Sequence, residues 1–242
     1  MNVREPGLAQ HAVGWHGKLP TVGDFATRRL DADFVSAWDD WLSAGLARLR
    51  ADDPQHWLEA YLASPTWRFL LTPGFLPAPL HAASWTGVVM PSVDRVGRYY
   101  PLTLATPLRV VPAGADGQGM LWSWLQCLED AAVDALQEDW SIDALETELL
   151  RLGPPPAPAP VPVPVPDEAA ADPGHGQFAA AHGAAAPVSM ESFFAAVASA
   201  PPGRAGQGRC VWYSEADISA PRLLCSTALD DSILRLWVDQ RF

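Results

Sequence analysis

Apolar residues that return every three or four positions predict four helices in the first 152 residues of the chain. The first helix is predicted to begin at a cap, Asp31 or Asp33, and to end near Arg50. Its predicted buried residues are Phe34, Trp38, Trp41, Leu42, Leu46 and Leu49. The second is predicted to begin at Asp53-Pro54, where the acid caps a helix and proline fits its first turn. Its predicted buried residues are Trp57, Leu58, Tyr61 and Leu62.

The other two helices follow residues 114–119, a stretch with glycine at both ends that is predicted to break the chain. The third helix is predicted from about Met120 to Glu138, with leucines, Trp124 and Ala132 on its buried face. The fourth is predicted to begin at a Ser141 cap and to end at Gly153. Each of these two helices is predicted to bury its apolar face.

Runs of β-branched, aromatic and aliphatic residues between turn residues predict strands. The predicted strands of the first 152 residues are Val13–His16, Trp67–Thr72, Trp85–Met90 and Leu102–Leu108. Gly17, Pro20 and Gly23 specify one loop geometry after the first strand, and the chain is then expected to lead into the first helix. Residues 92–100 are polar and too numerous for a tight hairpin, so we predict a structured loop that holds its polar groups outward.

Helices beside strands predict an α+β (mixed α/β) domain, in which helices cover an antiparallel or mixed β-sheet. The pattern does not predict the strand order. We divide the chain into an N-terminal α/β domain at 1–152, a linker at 153–188 and a small C-terminal α/β segment at 189–242. The linker is rich in proline, alanine and glycine, which predicts an extended or disordered insertion.

The C-terminal segment is predicted to contain a helix capped by Ser189, two strands and an amphipathic end at residues 233–238. Its predicted strands are Cys210–Tyr213 and Leu223–Ser226. A piece of this size makes a marginal independent domain. We therefore expect it to dock on the first sheet and to extend it.

Net charge and hydropathy argue against nucleic-acid-binding, membrane and secreted proteins. The formal net charge is -12, so binding to nucleic acid or to anionic lipid through bulk charge is disfavoured. The first residues lack the apolar run of a secretory signal, and no window approaches the roughly 20 apolar residues that span a bilayer. We expect a cytoplasmic protein without direct membrane insertion.

The motifs of common enzyme and metal sites are absent from the sequence. Gly17-Lys18 precedes a predicted helix, but Ala12 and Leu19 stand where a phosphate-binding loop needs glycine and a hydroxyl. No histidine pair has a metal-binding helical spacing, and no Gly-x-Ser-x-Gly elbow occurs. Cys127, Cys210 and Cys225 lie far apart without a paired spacing, and we predict buried, reduced thiols. We predict no catalytic residue, no metal and no cofactor.

Charged residues of the two glycine-containing loops are the candidate functional residues. The candidates for protein binding are Lys18, Asp24, Arg28, Arg29, Asp94, Arg95, Arg98 and Tyr99. Arginine and tyrosine are enriched at interface hot spots, and Lys18 is expected to be an exposed donor. The structural alternative is that Asp24 and Arg98 pair with each other or with loop carbonyls and only brace the two loops.

Two motifs resemble the TagF (ImpM) family of type VI secretion. They are GWHGKLPTVGDF at 14–25 and PSVDRVGRYYPL at 91–102, with Trp38, Asp39 and Trp41 in the helix between them. The resemblance covers roughly residues 12–140. It implies a cytoplasmic, non-catalytic repressor of secretion-system assembly that binds the forkhead-associated scaffold protein Fha. Two alternatives stay open: an enzyme, either a hydrolase or a nucleotide-dependent factor with a site between the loops, and a structural component of the baseplate.

Overall fold

The structure, a computed structural model, describes residues 12–156, 188–198, 208–215, 221–229 and 234–235. These residues contain a seven-stranded sheet in which every neighbouring pair is antiparallel. The strands are β1 (Gly14–Gly17), β2 (Ala26–Arg28), β3 (Trp67–Leu71), β4 (Ser84–Met90), β5 (Leu102–Leu108), β6 (Cys210–Ser214) and β7 (Arg222–Ser226). Their order across the sheet is β2-β1-β5-β4-β3-β6-β7. The predicted α+β class is confirmed, and the sheet is antiparallel.

Helices cover both faces of this sheet. The described helices are α1 (Ala32–Asp52), α2 (Trp57–Leu62), α3 (Ala115–Gln137), α4 (Ile142–Leu152) and α5 (Met190–Ala198). Successive strand residues point to opposite faces, so β3 divides its side chains between two cores. Phe69 packs with α1 and α2, whereas Leu70 packs with α3, α4 and α5. No helix in the described ranges is long and apolar enough to span a bilayer.

Several predicted boundaries are confirmed because local chemistry decides them. The Asp31 carboxylate accepts a hydrogen bond from the backbone N–H of Asp33 and caps α1. Ser141 caps α4 in the same way through the N–H of Ala144, and Gly153 ends that helix with φ at +66°. Helix ends with their own capping groups depend little on the rest of the fold.

Other predicted boundaries are wrong because tertiary packing overrides local preference. Helix α3 begins at Ala115, so residues 114–119 do not break the chain. Gly117 lies inside that helix against Pro112, where an added Cβ would meet the proline ring at 3.1 Å. Asp53 accepts a hydrogen bond from the His56 N–H as a cap does, but a turn follows it and helix α2 begins only at Trp57. Leu62 is 53% exposed rather than buried.

The C-terminal segment contributes to the same sheet. Strand β6 pairs with β3, and its Trp212 is completely buried against α1 and β3. Helix α5 packs on the other face with α3, and Phe193 there contacts Trp122. The proposed linker lies outside the described residues at 157–187, and so does most of the predicted amphipathic end. Leu234, at that end, is buried beside Gly45 of α1.

Candidate functional site

The two loops with the candidate residues emerge from the same end of the sheet. The first loop (residues 18–25) follows β1, and the second loop (residues 91–101) precedes β5. Strands β1 and β5 pair antiparallel, with His16 opposite Thr103, so the end of one lies beside the beginning of the other. Gly17 makes this approach possible: its φ is +137°, and an added Cβ would lie 2.2 Å from the carbonyl oxygen of Pro101.

A buried ion pair joins the loops. Lys18 Nζ donates to Asp94 Oδ2 at 2.5 Å, and both residues are 3% exposed. Asp94 Oδ2 also accepts from Arg98 Nε at 2.7 Å, while Oδ1 accepts from the backbone N–H groups of Val96 and Arg98. The prediction that Lys18 is an exposed donor is wrong, because the glycine-punctuated loop turns its side chain inward to this carboxylate.

Backbone contacts complete the junction between the loops. Ser92 Oγ donates to the carbonyl oxygen of Lys18 at 2.7 Å, and the Arg95 N–H donates to that of Val22 at 3.1 Å. The Arg98 guanidinium donates to the carbonyl of Gly23. Tyr61 of α2 donates to the Ser92 carbonyl and accepts from the Ser92 N–H. The two loops therefore behave as one braced unit.

Acid should weaken this junction through Asp94. Desolvation acts to raise the pKa of Asp94, but the hydrogen bonds from Lys18, Arg98 and Val96 hold it well below its ordinary value. A lowered folded-state pKa means that the stabilisation is present above about pH 4, the unfolded value, and is lost as the pH falls toward the folded value.

We expect Asp94→Asn to be less stable than wild type at neutral pH and to lose less stability between about pH 6 and about pH 3, because it has no carboxylate to protonate. Urea unfolding at several pH values measures this. Asp24→Asn is the matched control, since Asp24 is exposed in the same junction and, among the described residues, accepts a hydrogen bond only from the Phe25 N–H. Parallel pH curves for wild type and Asp94→Asn would contradict the assignment.

The eight candidates separate into braces and outward groups. Arg29 is a brace: its guanidinium donates to the carbonyl of Val13 and to Glu146 of α4, and its φ is +57°. Tyr99 is half-buried and packs edge-on against Trp57 and Tyr61. Lys18 and Asp94 are the buried braces described above. The candidates on the outside are Asp24, Arg28, Arg95 and Arg98.

The alternative prediction, that Asp24 and Arg98 brace the two loops, matches the structure in part. Arg98 does brace the loops, but its acidic partner is Asp94 rather than Asp24. Arg28 donates only to the adjacent carbonyl of Thr27 among the described contacts, and the Arg95 side chain is exposed. Bracing therefore uses four of the seven predicted charges, those of Lys18, Arg29, Asp94 and Arg98, and leaves Arg28 and Arg95 exposed to solvent or a partner.

Residues 14–152 match the model of a family described as "TagF N-terminal domain, Type VI secretion system-associated". The chain belongs to the TagF family. No curated protein matches it. Among solved structures it is similar to the crystal structure of PA0076 from Pseudomonas aeruginosa PAO1, with a TM-score of 0.59 and 31% sequence identity. That similarity covers 89% of this chain and 88% of the other, so it extends past residue 152 and the TagF model.

Sequence reasoning missed the apolar part of this TagF-family site. Phe25 is 46% exposed, and its ring is held by three buried neighbours. His16 stacks on it with centroids 5.8 Å apart, Tyr100 meets it edge-on at 4.8 Å, and Lys18 Nζ lies 4.6 Å from its centroid. Val96, at the middle of the second loop, is 63% exposed. An apolar residue within a polar loop was the available signal in both cases.

A polar cluster lies beneath Phe25. His16 is 6% exposed, with Nδ1 2.7 Å from Thr27 Oγ1 and Nε2 3.7 Å from Asp39 Oδ1. Burial lowers the pKa of His16 more than the nearby Asp39 carboxylate raises it. Tyr100 donates to Asp39 at 2.6 Å, and burial together with that bond raises the pKa of the phenol. The Phe25 ring therefore stacks on an imidazole whose neutral form is favoured.

Metal and thiol chemistry find little support in the described ranges. No three His, Cys, Asp or Glu side chains lie there in positions to hold a metal ion. Cys127, Cys210 and Cys225 form no disulfide, and burial raises the pKa of the Cys210 thiol. The prediction of buried thiols is wrong for Cys127 and Cys225, which are exposed. What the two loops offer chemically is a rigid set of exposed guanidinium and apolar groups.

Proposed function

We propose that this TagF-family protein is a non-catalytic accessory factor of type VI secretion that acts in the cytoplasm. In this proposal it binds the scaffold protein Fha and represses assembly of the secretion system by withholding that component. Membership of the TagF family supports the link to type VI secretion. Repression follows by mass action, because Fha held in this complex is removed from assembly.

One observation carries the assignment of the binding surface. The buried Lys18–Asp94 pair, with both groups 3% exposed, joins two loops that are distant in the chain. Side chains displayed by a braced scaffold lose little conformational entropy on binding, which favours affinity. The two-loop surface, defined as the outward side chains of residues 18–29 and 91–101, is therefore the proposed contact with Fha.

Fha binding tests the proposal. We expect the wild type to bind purified Fha in calorimetry, and the double variant Arg28→Glu/Arg95→Glu to raise the Kd at least about tenfold, since both guanidinium groups face outward. Arg109→Glu is the matched control. Arg109 is exposed just beyond β5, at the end of that seven-residue strand far from Pro101, roughly 20 Å away.

The outcomes test the proposed function and the proposed contact surface separately. Failure of a well-folded wild type to bind Fha would refute the proposed function. Normal binding by Arg28→Glu/Arg95→Glu would leave the function standing and move the contact to another face. In the host, excess wild-type protein is expected to reduce the number of assembled secretion systems, counted by microscopy of a labelled sheath. Its presence in purified assemblies in stoichiometric amounts would instead favour a baseplate component.

A further inference from the structure

Charge is segregated between the two-loop surface and the rest of the molecule. Residues 18–29 and 91–101 contain five basic and two acidic side chains, a net charge of +3. Because the whole chain carries -12, the remainder carries -15. A local cationic surface on an acidic protein attracts an acidic partner at that one place and repels it elsewhere.

Internal pairing does not cancel this local charge. Lys18 is matched by Asp94, and Arg29 by Glu146 of α4. Arg98 shares Asp94, whose carboxylate already faces Lys18, and its side chain is 54% exposed. Arg28 lies opposite Trp15, on the side of the sheet where Glu146 lies. The exposed guanidinium groups of Arg95 and Arg98 still outnumber the exposed carboxylate of Asp24. The outward charge of the surface is positive.

Two exposed apolar side chains belong to the same two loops. Phe25 and Val96 are two of the six large hydrophobic residues that are exposed in the described ranges. Their loops are joined directly, since Arg95 bonds to Val22 and Arg98 to Gly23. A surface that exposes an aromatic ring together with arginine side chains has the composition of an interface hot spot.

Both apolar groups are held in place before any partner binds. Val96 lies in a tight turn in which the Asp94 N–H donates to the Arg98 carbonyl and the Gly97 N–H donates to the Asp94 carbonyl. Gly97 has φ at +80°, as such a turn requires, and Asp94 Oδ1 accepts from the Val96 N–H. Phe25 rests on the buried ring of His16. Binding should therefore cost these side chains little further conformational entropy.

We propose that the two-loop surface is a docking site for an acidic segment of a partner protein, with carboxylates facing Arg95 and Arg98 and an apolar side chain packing between Phe25 and Val96. This rests on the proposed function only for the identity of the partner. A protein segment fits better than nucleic acid, because carboxylates and an apolar group satisfy both parts of the surface, while the acidic remainder repels an extended phosphate backbone.

A labelled peptide tests the chemistry without Fha. The probe is a fluorescein-labelled, glutamate-rich peptide of about a dozen residues with one central leucine, and its anisotropy is measured with the full chain. We expect saturable binding that weakens at least about fivefold between low and physiological salt. Replacing the leucine by serine should weaken binding about threefold or more, because Phe25 and Val96 lose their apolar partner.

Single-residue variants test whether the peptide binds at the two-loop surface. Arg95→Glu should raise the Kd about tenfold, and Val96→Ala about threefold, with unchanged thermal stability because both side chains are exposed. The matched controls are Arg109→Glu and Val110→Ala. Val110 is 60% exposed beside Arg109, so this pair repeats the same chemistry elsewhere on the molecule. Both control variants should bind the peptide within about twofold of wild type.

The results distinguish this inference from the proposed function. Absence of peptide binding, equal losses in Arg95→Glu and Arg109→Glu, or tighter binding to a single-stranded oligonucleotide of equal charge would overturn the docking inference. Peptide binding together with no Fha binding would refute the proposed partner and leave the docking chemistry intact. Fha binding that Arg95→Glu and added salt do not affect would support the function and refute the acidic contact.

Discussion

Lys18→Met is expected to destabilise the folded protein by about 3 kcal/mol, because removing one partner of a buried ion pair leaves the other charge without compensation. Lys18 Nζ is 2.5 Å from Asp94 and its side chain is 4% exposed, so water cannot replace the ammonium group. Methionine keeps the apolar length of the side chain and removes its charge. It also removes the cation beneath the Phe25 ring. Urea unfolding at neutral pH gives the loss directly.

A surface pair gives the matched control for Lys18→Met. Arg151 donates to Glu148 at 2.5 Å on α4, but its side chain is 68% exposed. Arg151→Met removes a cation from a bond of the same length and is expected to change stability little, because solvent screens exposed pairs. The cost of Lys18→Met should also shrink below about pH 4, because the wild type then loses the stabilisation that comes from the lowered pKa of Asp94. Equal losses in the two variants would show that the Lys18 pair does not brace the loops.

Trp212→Ala is expected to lower the free energy of unfolding by about 3 to 5 kcal/mol, the usual cost of removing a fully buried tryptophan. Trp212 is 0% exposed on β6, and its ring lies 5.4 Å from that of Phe69 and 5.6 Å from that of Trp41. A residue of the C-terminal segment thus fills the core beneath α1. The loss should appear in the same unfolding transition that reports on α1, measured by circular dichroism and fluorescence.

The cooperativity of that transition tests how the chain is divided. If β6 is part of one folding unit, a chain ending at residue 152 should lose cooperative unfolding, because the edge of β3 and its aromatic neighbours lose their cover. Trp140→Ala is the control, since Trp140 is only partly buried and should cost less. A stable 12–152 fragment, or a separate early transition in Trp212→Ala, would show that the C-terminal segment folds independently.

Both predictions concern how rigidly the fold holds the two loops. Phe25, Val96 and the outward arginines are useful for binding only if the loops below them are rigid. Rigidity comes from the Lys18–Asp94 pair, and the loops in turn depend on the strands that carry them. A TagF-family variant that loses partner binding therefore needs a stability measurement before its residue is assigned to the contact surface.

The candidate site could be predicted only in part. The two motifs indicated which loops matter, since their glycines and charges are visible in the chain. Which charges face outward could not be predicted, because Lys18 and Arg95 are equally polar in sequence and differ only in what lies beside them. Strand β2 (Ala26–Arg28) was missed as well: three residues are too few for an alternating pattern, and only pairing with β1 makes them a strand.

The sequence by itself determined the helices with long apolar faces and their capped ends. The spacing from Phe34 to Leu49 and the caps at Asp31 and Ser141 act through contacts within a few residues, so the local chain contains all the information needed. Tertiary structure decided the strand order, the place of Trp212 and the burial of Lys18. Those features join residues tens of positions apart, such as Trp15 with Leu104 and Lys18 with Asp94, and a pairing at that distance is set by the packing of the whole fold.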